Sequence, residues 1–458
     1  MAKRILIFSL LVIGGLWFLS PSIAAGSGGN EAAGTEPGHG LDPVVLAGEA
    51  VMLIIAKLSG ELFERFRQPA VLGELVGGTF IGNLVLLGFT MAEPLKTNVV
   101  IGALAELGVL ILLFEVGLES NLGEMLEVGW SSLLVAVVGV VAPFFLGWGV
   151  AAYFLPGEAT LGHIFIGATL CATSIGITAR VLKDLGVLQS REARIILGAA
   201  VIDDVLGLLV LAVVAGAIQA EAAGTALSSW QIVTITVKAF AFLAGTVLVG
   251  RYLVSRLFRQ AGRLETRGVL LALALAFCFL LAWLAALVGL APIVGAFAAG
   301  LVLDEAHFES FRDRGEHRLE ELIRPVSALL APIFFVLMGM KVDLRYFAQW
   351  ELLGFAAVLT LAAIIGKQVC SLAVLERQVN RLAVGVGMVP RGEVGLIFAG
   401  IGATLMLPNS AGASEPVINP ATFGVVVLMV IVTTLITPPA LKWALQRRAS
   451  ASSAAGRS

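Results

Sequence analysis

The chain has 458 residues, of which 58% are hydrophobic and only 14% are charged, and its formal net charge is -2. Soluble domains carry about 25% charged residues, so this composition excludes a series of ordinary soluble domains. Apolar runs of about 20 residues recur along the chain, and each is long enough to cross a bilayer as a helix. The alternating segments of about 10 residues that build a membrane β-barrel are absent from the sequence. The composition therefore predicts an all-α membrane protein.

The N-terminal segment has the pattern of a secretory signal peptide. Two basic residues precede an apolar run that ends at Leu19, and small residues follow it. We predict cleavage near Ala25, so that residues 1–25 are the signal; an uncleaved signal anchor is the alternative. Residues 26–42 are rich in Gly, Ala and Glu, and we expect them to be disordered outside the membrane.

Residues 43–445 form the predicted membrane domain, and residues 446–458 a short polar tail with no room for a regulatory domain. We predict about 13 transmembrane helices, each from an apolar run. Their starts lie near Pro43, Ala70, Asn98, Trp130, Thr160, Ala193, Trp230, Gly268, Pro292, Pro325, Glu351, Leu382 and Pro420.

Basic residues predict the orientation of these helices. Arg and Lys are concentrated in alternate connections and in the tail, and such connections face the cytoplasm. The connection from Glu119 to Glu127 is acidic although it should lie inside, but acidic residues weigh little in this rule. We therefore predict a mature N-terminus outside and a C-terminus in the cytoplasm.

Two adjacent carboxylates, Asp203 and Asp204, lie well inside one apolar run. Ionisable groups at that depth are costly and are functional candidates for that reason. Neighbours on a helix point about 100° apart, so one carboxylate can face a cavity while the other faces a neighbouring helix. A carboxyl group in such a cavity can exchange H+ for a hard monovalent cation. A pair that only bridges two helices is the alternative.

Lys367 also lies far from either end of its predicted helix. A buried ammonium needs an anionic partner, and an acidic residue of the Asp203–Asp204 pair is the natural one. The alternative is that the long side chain reaches the membrane surface.

Two predicted helices are interrupted in the middle. Thr173 and Ser174 interrupt the fifth, and the segment from Pro390 to Glu393 interrupts the twelfth. Irregular backbone at that depth persists only where it lines a cavity or is buried in protein. Ordinary helix packing explains Thr173 and Ser174 equally well. Because the two helices run in opposite directions, we predict inverted repeats of about five helices, with the two discontinuous helices crossing near the Asp pair.

Seven stretches resemble those of the monovalent cation:proton antiporters, most closely bacterial Na+/H+ antiporters of the NapA type in the Kef/NapA-like branch. They cover nearly the whole membrane region in the order found in that family, and together they are highly specific. The stretches are Leu72 to Gly78, Leu104 to Glu119, Ala172 to Leu182, Val201 to Asp204, Pro332 to Met340, Gly366 to Lys367, and Pro390 to Leu396.

The resemblance implies a role for each candidate residue. Asp204 matches the carboxylate that binds Na+, and Asp203 matches its partner, which pairs with Lys367. Thr173 and Ser174 fall at the unwound crossover, where backbone and hydroxyl oxygens can assist the cation.

Two further positions, Arg391 and Glu393, match charged positions near the second crossover, and we interpret them as structural counter-charges. Both carboxylates together with Lys367 are typical of electrogenic exchange, two protons for each Na+. Either both Asp residues carry protons, or Lys367 carries one while Na+ binding breaks its pair with Asp203. The sequence leaves both accounts open.

The resemblance also implies a homodimer that works by elevator-like alternating access in the cytoplasmic membrane. Core helices at about 130–219 and 351–443 would move against the remainder, which would form the dimerisation scaffold. The expected partners are monovalent cations, protons and the lipid bilayer, with no nucleic acid and no cofactor. Such a protein is a transporter and not an enzyme.

Three other functions compete with this interpretation. A K+/H+ antiporter of the Kef-like type without a regulatory domain differs only in the cation, which no motif determines. An intramembrane aspartyl protease needs its two Asp residues on different helices, whereas Asp203 and Asp204 are adjacent. A membrane receptor or scaffold leaves the buried charges unexplained.

Overall fold

The structure, a computed structural model, describes residues 43–455 except 67, 91, 120–128, 188, 223–228, 262–265, 267, 304–317, 377 and 409–413. The predicted signal peptide and the segment after it, residues 1–42, lie outside the described residues, as does most of the acidic connection. The main helices are α1 (Pro43–Arg65), α2 (Ala70–Gly82), α3 (Val99–Glu119), α4 (Trp130–Phe154), α5 (Thr160–Thr169), α6 (Ile175–Asp184), α7 (Arg191–Ala222), α8 (Ser229–Ala261), α9 (Val269–Val288), α10 (Pro292–Val302), α11 (Leu319–Met340), α12 (Trp350–Val369), α13 (Arg381–Gly387), α14 (Glu393–Thr404) and α15 (Pro420–Ala455).

Short elements complete the described part of the chain. One-turn helices span Leu84–Leu87, Glu93–Lys96, Leu344–Ala348 and Cys370–Ala373. A small antiparallel hairpin joins α14 to α15, with β1 (Met406–Pro408) paired to β2 (Ser414–Pro416) and Leu407 opposite Glu415. The residues predicted to be a polar tail continue α15 as far as Ala455.

Eight described helices are long and apolar enough to cross a membrane by length and composition, and shorter apolar helices accompany them. A helix lies at each of the 13 predicted positions, and two of those positions are split into a pair of helices. The all-α membrane class is therefore confirmed, while the number of crossings stays a prediction.

The two predicted interruptions are real breaks in the helices. α5 ends at Thr169 and α6 begins at Ile175, and α13 ends at Gly387 before α14 begins at Glu393. In the second break, Pro390 has no N–H to donate and disfavours helical backbone at the residue before it. The prediction of two discontinuous helices is confirmed.

The helices pack in two groups. The first contains α1, α2, α3, α9, α10 and α11, and the second contains α4 to α7 and α12 to α15. α8 packs on helices of both groups. The division of the membrane domain into a moving core and a dimerisation scaffold stays a prediction.

Glycines bring the helices of the first group into close contact. A Cβ at Gly339 of α11 would lie 2.8 Å from the Thr79 nitrogen and 3.0 Å from the Gly78 Cα in α2, and would also strike the Leu75 carbonyl. Close backbone approach at small residues is how helices associate in lipid, where little hydrophobic driving force remains between them.

Candidate functional site

The two helix breaks hold each other in place. The Ser174 N–H donates to the Pro390 carbonyl at 2.8 Å, and the Thr178 hydroxyl donates to the Gly387 carbonyl at 2.7 Å. Helix ends leave backbone groups without partners inside their own helix, and such groups are costly at membrane depth. Each break therefore supplies hydrogen bonds that the other needs.

Gly392 allows the two breaks to lie this close. A Cβ at that position would lie 2.7 Å from the Ser174 Cβ, a separation at which one of the two segments must shift. The absence of a side chain at Gly392 thus lets the first break lie against the second.

Lys367 and Asp203 form a completely buried ion pair beside the crossing. The Lys367 Nζ of α12 donates to Asp203 Oδ1 of α7 at 2.7 Å, and both side chains are 0% exposed. The same Nζ donates to the Cys171 carbonyl in the first break, also at 2.7 Å. The structure therefore brings together the lysine and the carboxylate that the family resemblance paired.

Asp204 follows Asp203 on α7 and is 6% exposed. Position 204 lies about 20 Å along α7 from its start at Arg191, at 1.5 Å per residue. Thr173 is buried in the first break, where its hydroxyl donates to the Met388 carbonyl at 3.4 Å and interacts with the Asp203 carboxylate. Carboxylate, hydroxyl and backbone oxygens thus converge where the helices are interrupted.

Arg391 places a second buried cation in the crossing. Its side chain is 0% exposed, and its Nη1 donates to the Ala172 carbonyl of the first break. Its own carbonyl accepts a hydrogen bond from the Thr434 hydroxyl of α15. The Glu393 backbone begins α14, but its side chain lies outside the described residues.

Sequence reasoning placed backbone oxygens at the crossover but did not identify the acceptors of Lys367 and Arg391, which are the carbonyls of Cys171 and Ala172. Both belong to the interrupted stretch between α5 and α6, and this interruption was the only available signal. A carbonyl is the same in every residue type, so no pattern of side chains could show which ones would face Lys367 and Arg391.

Two interrupted helices that cross beside a buried acid–lysine pair define a membrane transporter fold. A solved structure of the sodium proton antiporter MjNhaP1 from Methanocaldococcus jannaschii matches the structure of this chain with a TM-score of 0.65. The match covers 87% of this chain and 96% of that one at 15% sequence identity, so it shows the fold alone.

The sequence gives the family directly. Residues 50–446 match the family described as sodium/hydrogen exchanger, transmembrane, and the chain belongs to that family. It is 41% identical to the high-affinity Na+/H+ antiporter NhaS3 of Synechocystis sp., over 87% of this chain and 90% of the relative. It is 32% identical to the Na+/H+-K+ antiporter GerN of Bacillus cereus, over 86% and 94% respectively.

Proposed function

We propose that the chain is an antiporter that exchanges Na+ or Li+ for H+ across the cytoplasmic membrane. The observation that carries the proposal is the buried Lys367–Asp203 pair at the crossing of two broken helices, with Asp204 next to it on α7. The names of the relatives NhaS3 and GerN support Na+ and H+ as the exchanged ions. This exchange needs no cofactor and involves no covalent chemistry.

Charge balance explains how the two ions compete. Asp203 and Asp204, when ionised, carry two negative charges, and Lys367 and Arg391 carry two positive charges, so these four side chains are neutral together. Na+ bound at Asp204 would give this centre a positive charge in a medium of low dielectric constant, which is unfavourable. A proton on either carboxyl gives the same excess charge, so Na+ and H+ exclude each other and cation binding is linked to proton release.

The second proton of an electrogenic cycle has two sources in this arrangement. If Asp203 and Asp204 both carry protons, Lys367 stays charged throughout. If Na+ binding breaks the Lys367–Asp203 pair, the freed lysine can release a proton. Asp203→Asn tests the pairing itself, since exchange that is retained but no longer electrogenic supports the pairing with Lys367.

The proposal includes elevator-like movement of the group α4 to α7 and α12 to α15 against the rest, within a homodimer. Two helix groups, each packed within itself, support this. The basic connections support an N-terminus outside and a C-terminus in the cytoplasm. Thr173 and Ser174 would assist the cation, and Arg391 and Glu393 would act as counter-charges.

Everted vesicles or proteoliposomes test the exchange directly. We expect Na+ to collapse an imposed pH gradient with the wild-type protein and to leave it intact with Asp204→Asn. Glu61→Gln, which changes an exposed carboxylate on α1, is the control and should retain activity. Collapse of the gradient by the wild type without any cation requirement would overturn the proposal.

K+/H+ exchange is the second candidate, because the name of the relative GerN includes K+. The same vesicles with Na+, Li+ and K+ at equal concentrations decide between the two. A lower half-saturating concentration for K+ than for Na+ would replace the first proposal with the second.

A further inference from the structure

α4 passes the buried ion pair at a glycine. A Cβ at Gly139 would lie 3.6 Å from Lys367 Nζ and 3.7 Å from Asp203 Oδ1, with the Cys370 Cβ also at 3.6 Å. Both charged atoms of the pair therefore border the position where any other residue would carry a side chain.

Close helix packing does not account for this glycine. At Gly147, on the same helix, a Cβ would lie 3.0 Å from the Gly167 Cα and must displace something. At Gly139 the nearest atoms are at ordinary van der Waals distances, so an alanine methyl would fit without a clash. The glycine instead leaves a methyl-sized space beside an ammonium and a carboxylate.

The backbone at the same residue offers an acceptor. Helical carbonyls accept from the N–H four residues later, but residue 143 is proline, which has none, so the Gly139 carbonyl lacks its usual partner. Gly366 packs directly on Pro143, where a Cβ would lie 2.7 Å from the Pro143 Cα. This contact fixes α12 against α4 at the residue next to Lys367.

We propose that Gly139 is a positioning residue for ion exchange. It provides a methyl-sized space, and a backbone carbonyl without its usual helical donor, for the Lys367 ammonium when a cation breaks its pair with Asp203. This inference rests on the proposed function, because it requires the pair to break during the cycle.

The groups around Lys367 show why this space matters. Asp203 faces it from α7, Arg391 from the second break and the Cys171 carbonyl from the first, while Cys370 neighbours it on its own side. Arg391 repels a displaced ammonium. The space that remains for it lies on the side facing α4, at Gly139. A methyl group there would leave the ammonium without a place and would favour the intact pair.

Gly139→Ala, Gly139→Ser and Gly149→Ala test the inference in proteoliposomes over a range of Na+ and pH. Gly149 is the matched control, because it lies on α4 and a Cβ there would meet no atom within 4 Å. For Gly139→Ala we expect an apparent KM for Na+ about tenfold higher at pH 7 and a pH profile displaced by about one unit to the alkaline side, one unit being a factor of ten. The maximal rate should be retained. Gly139→Ser should recover much of the affinity, because its hydroxyl can accept from the ammonium.

The inference is overturned if Gly139→Ala transports like Gly149→Ala. It is also overturned if Gly139→Ala unfolds at a clearly lower temperature than Gly149→Ala, because the glycine would then serve helix packing. Equal losses in the serine and alanine variants would support the space at Gly139 and overturn the role given to a hydrogen-bond acceptor there. A wild-type protein without cation-dependent exchange would refute the proposed function itself, which separates the two failures.

Discussion

The Lys367–Asp203 pair is the feature with the largest consequence at the scale of single residues. Both side chains are 0% exposed, so water cannot solvate either charged group if its partner is removed. A buried ion pair adds little net stability, but removing one partner costs about 3–5 kcal/mol because an uncompensated charge remains. The pair should therefore show strong coupling between its two members.

A double-mutant cycle measures this coupling. We expect Asp203→Asn to lower the free energy of unfolding by about 3–5 kcal/mol, and Asp203→Asn combined with Lys367→Gln to recover a large part of the loss. Unfolding of the purified protein in detergent, followed by heat or denaturant, gives the values.

Glu61→Gln provides the comparison, since Glu61 pairs with Arg65 at 2.9 Å on an exposed face of α1. An exposed pair of this kind contributes less than about 1 kcal/mol. If the double variant at Asp203 and Lys367 loses as much as the sum of its single variants, the two residues do not stabilise each other.

At the scale of elements, the segment after the β1–β2 hairpin links the start of α15 to the connection between α4 and α5. Asn419 donates to Glu158, in the connection between α4 and α5, at 2.7 Å, and its Oδ1 accepts from the Thr422 N–H at the start of α15. Partial burial raises the pKa of the Glu158 carboxyl above its usual range, although His163 opposes the shift. The folded protein therefore binds this proton more tightly than the unfolded chain.

This shift predicts the sign of a pH effect. The stability that Glu158 contributes is present at low pH and is lost as the pH rises from the ordinary pKa through the raised one. Glu158→Gln keeps a hydrogen-bond acceptor for Asn419 without the charge, so we expect it to raise the free energy of unfolding at pH 7 by up to about 1 kcal/mol. The difference from the wild type should vanish near pH 4 in thermal unfolding across pH.

Glu351→Gln is the control for Glu158→Gln. Glu351 is an exposed acid in the first turn of α12, where a negative charge favours the helix. Its replacement should be neutral or slightly destabilising at pH 7. The same sign at both positions would contradict the assignment to Glu158.

Glycine contacts make a second prediction about elements. Gly339→Ala should lower the free energy of unfolding by about 1–3 kcal/mol, because the methyl group meets α2 backbone. Gly102→Ala on α3 has no atom within 4 Å of the new Cβ and should be neutral or stabilising. Thermal unfolding of the two variants side by side is the measurement, and equal effects would show that α2 and α11 can separate.

The sequence predicted helices better than it predicted contacts. Apolar runs located α1 to α15 because a span must be long and apolar, and Thr173, Ser174 and Pro390 located the breaks. The partner of Lys367 followed from the chemistry of a buried ammonium and from the family resemblance. The contact of Gly339 with Leu75 and the position of Gly139 beside the ion pair could not be predicted. Each depends on how two helices cross, and a glycine has no side chain from which a neighbour can be inferred.

At the scale of the whole molecule, the two helix groups meet where α14 lies against α11. A Cβ at Gly400 of α14 would lie 3.1 Å from Met338 Sδ and 3.2 Å from the Phe334 ring, both on α11. These are the ends of side chains, which can shift by a few tenths of an ångström. An added methyl group would therefore pack tightly against these two side chains and hinder sliding between the groups without preventing folding.

Gly400→Ala tests whether the groups slide past each other. We expect a several-fold lower exchange rate with an unchanged unfolding temperature, measured in proteoliposomes and in detergent. Gly395→Ala on the same helix is the control, because its Cβ would make ordinary contacts with Val430 and Arg391 inside its own group. Equal rates in the two variants would argue against movement along this contact.

The hydrogen bonds between the two breaks also bear on how faithfully such a protein couples its ions. The Ser174 N–H is satisfied by the Pro390 carbonyl, so neither break can turn away without leaving a bare backbone group in a nonaqueous interior. The two breaks are therefore expected to move together as one unit. No state in which they separate, and through which an ion could leak, is expected. Leak-free exchange would then depend on the peptide backbone as much as on the carboxylates it surrounds.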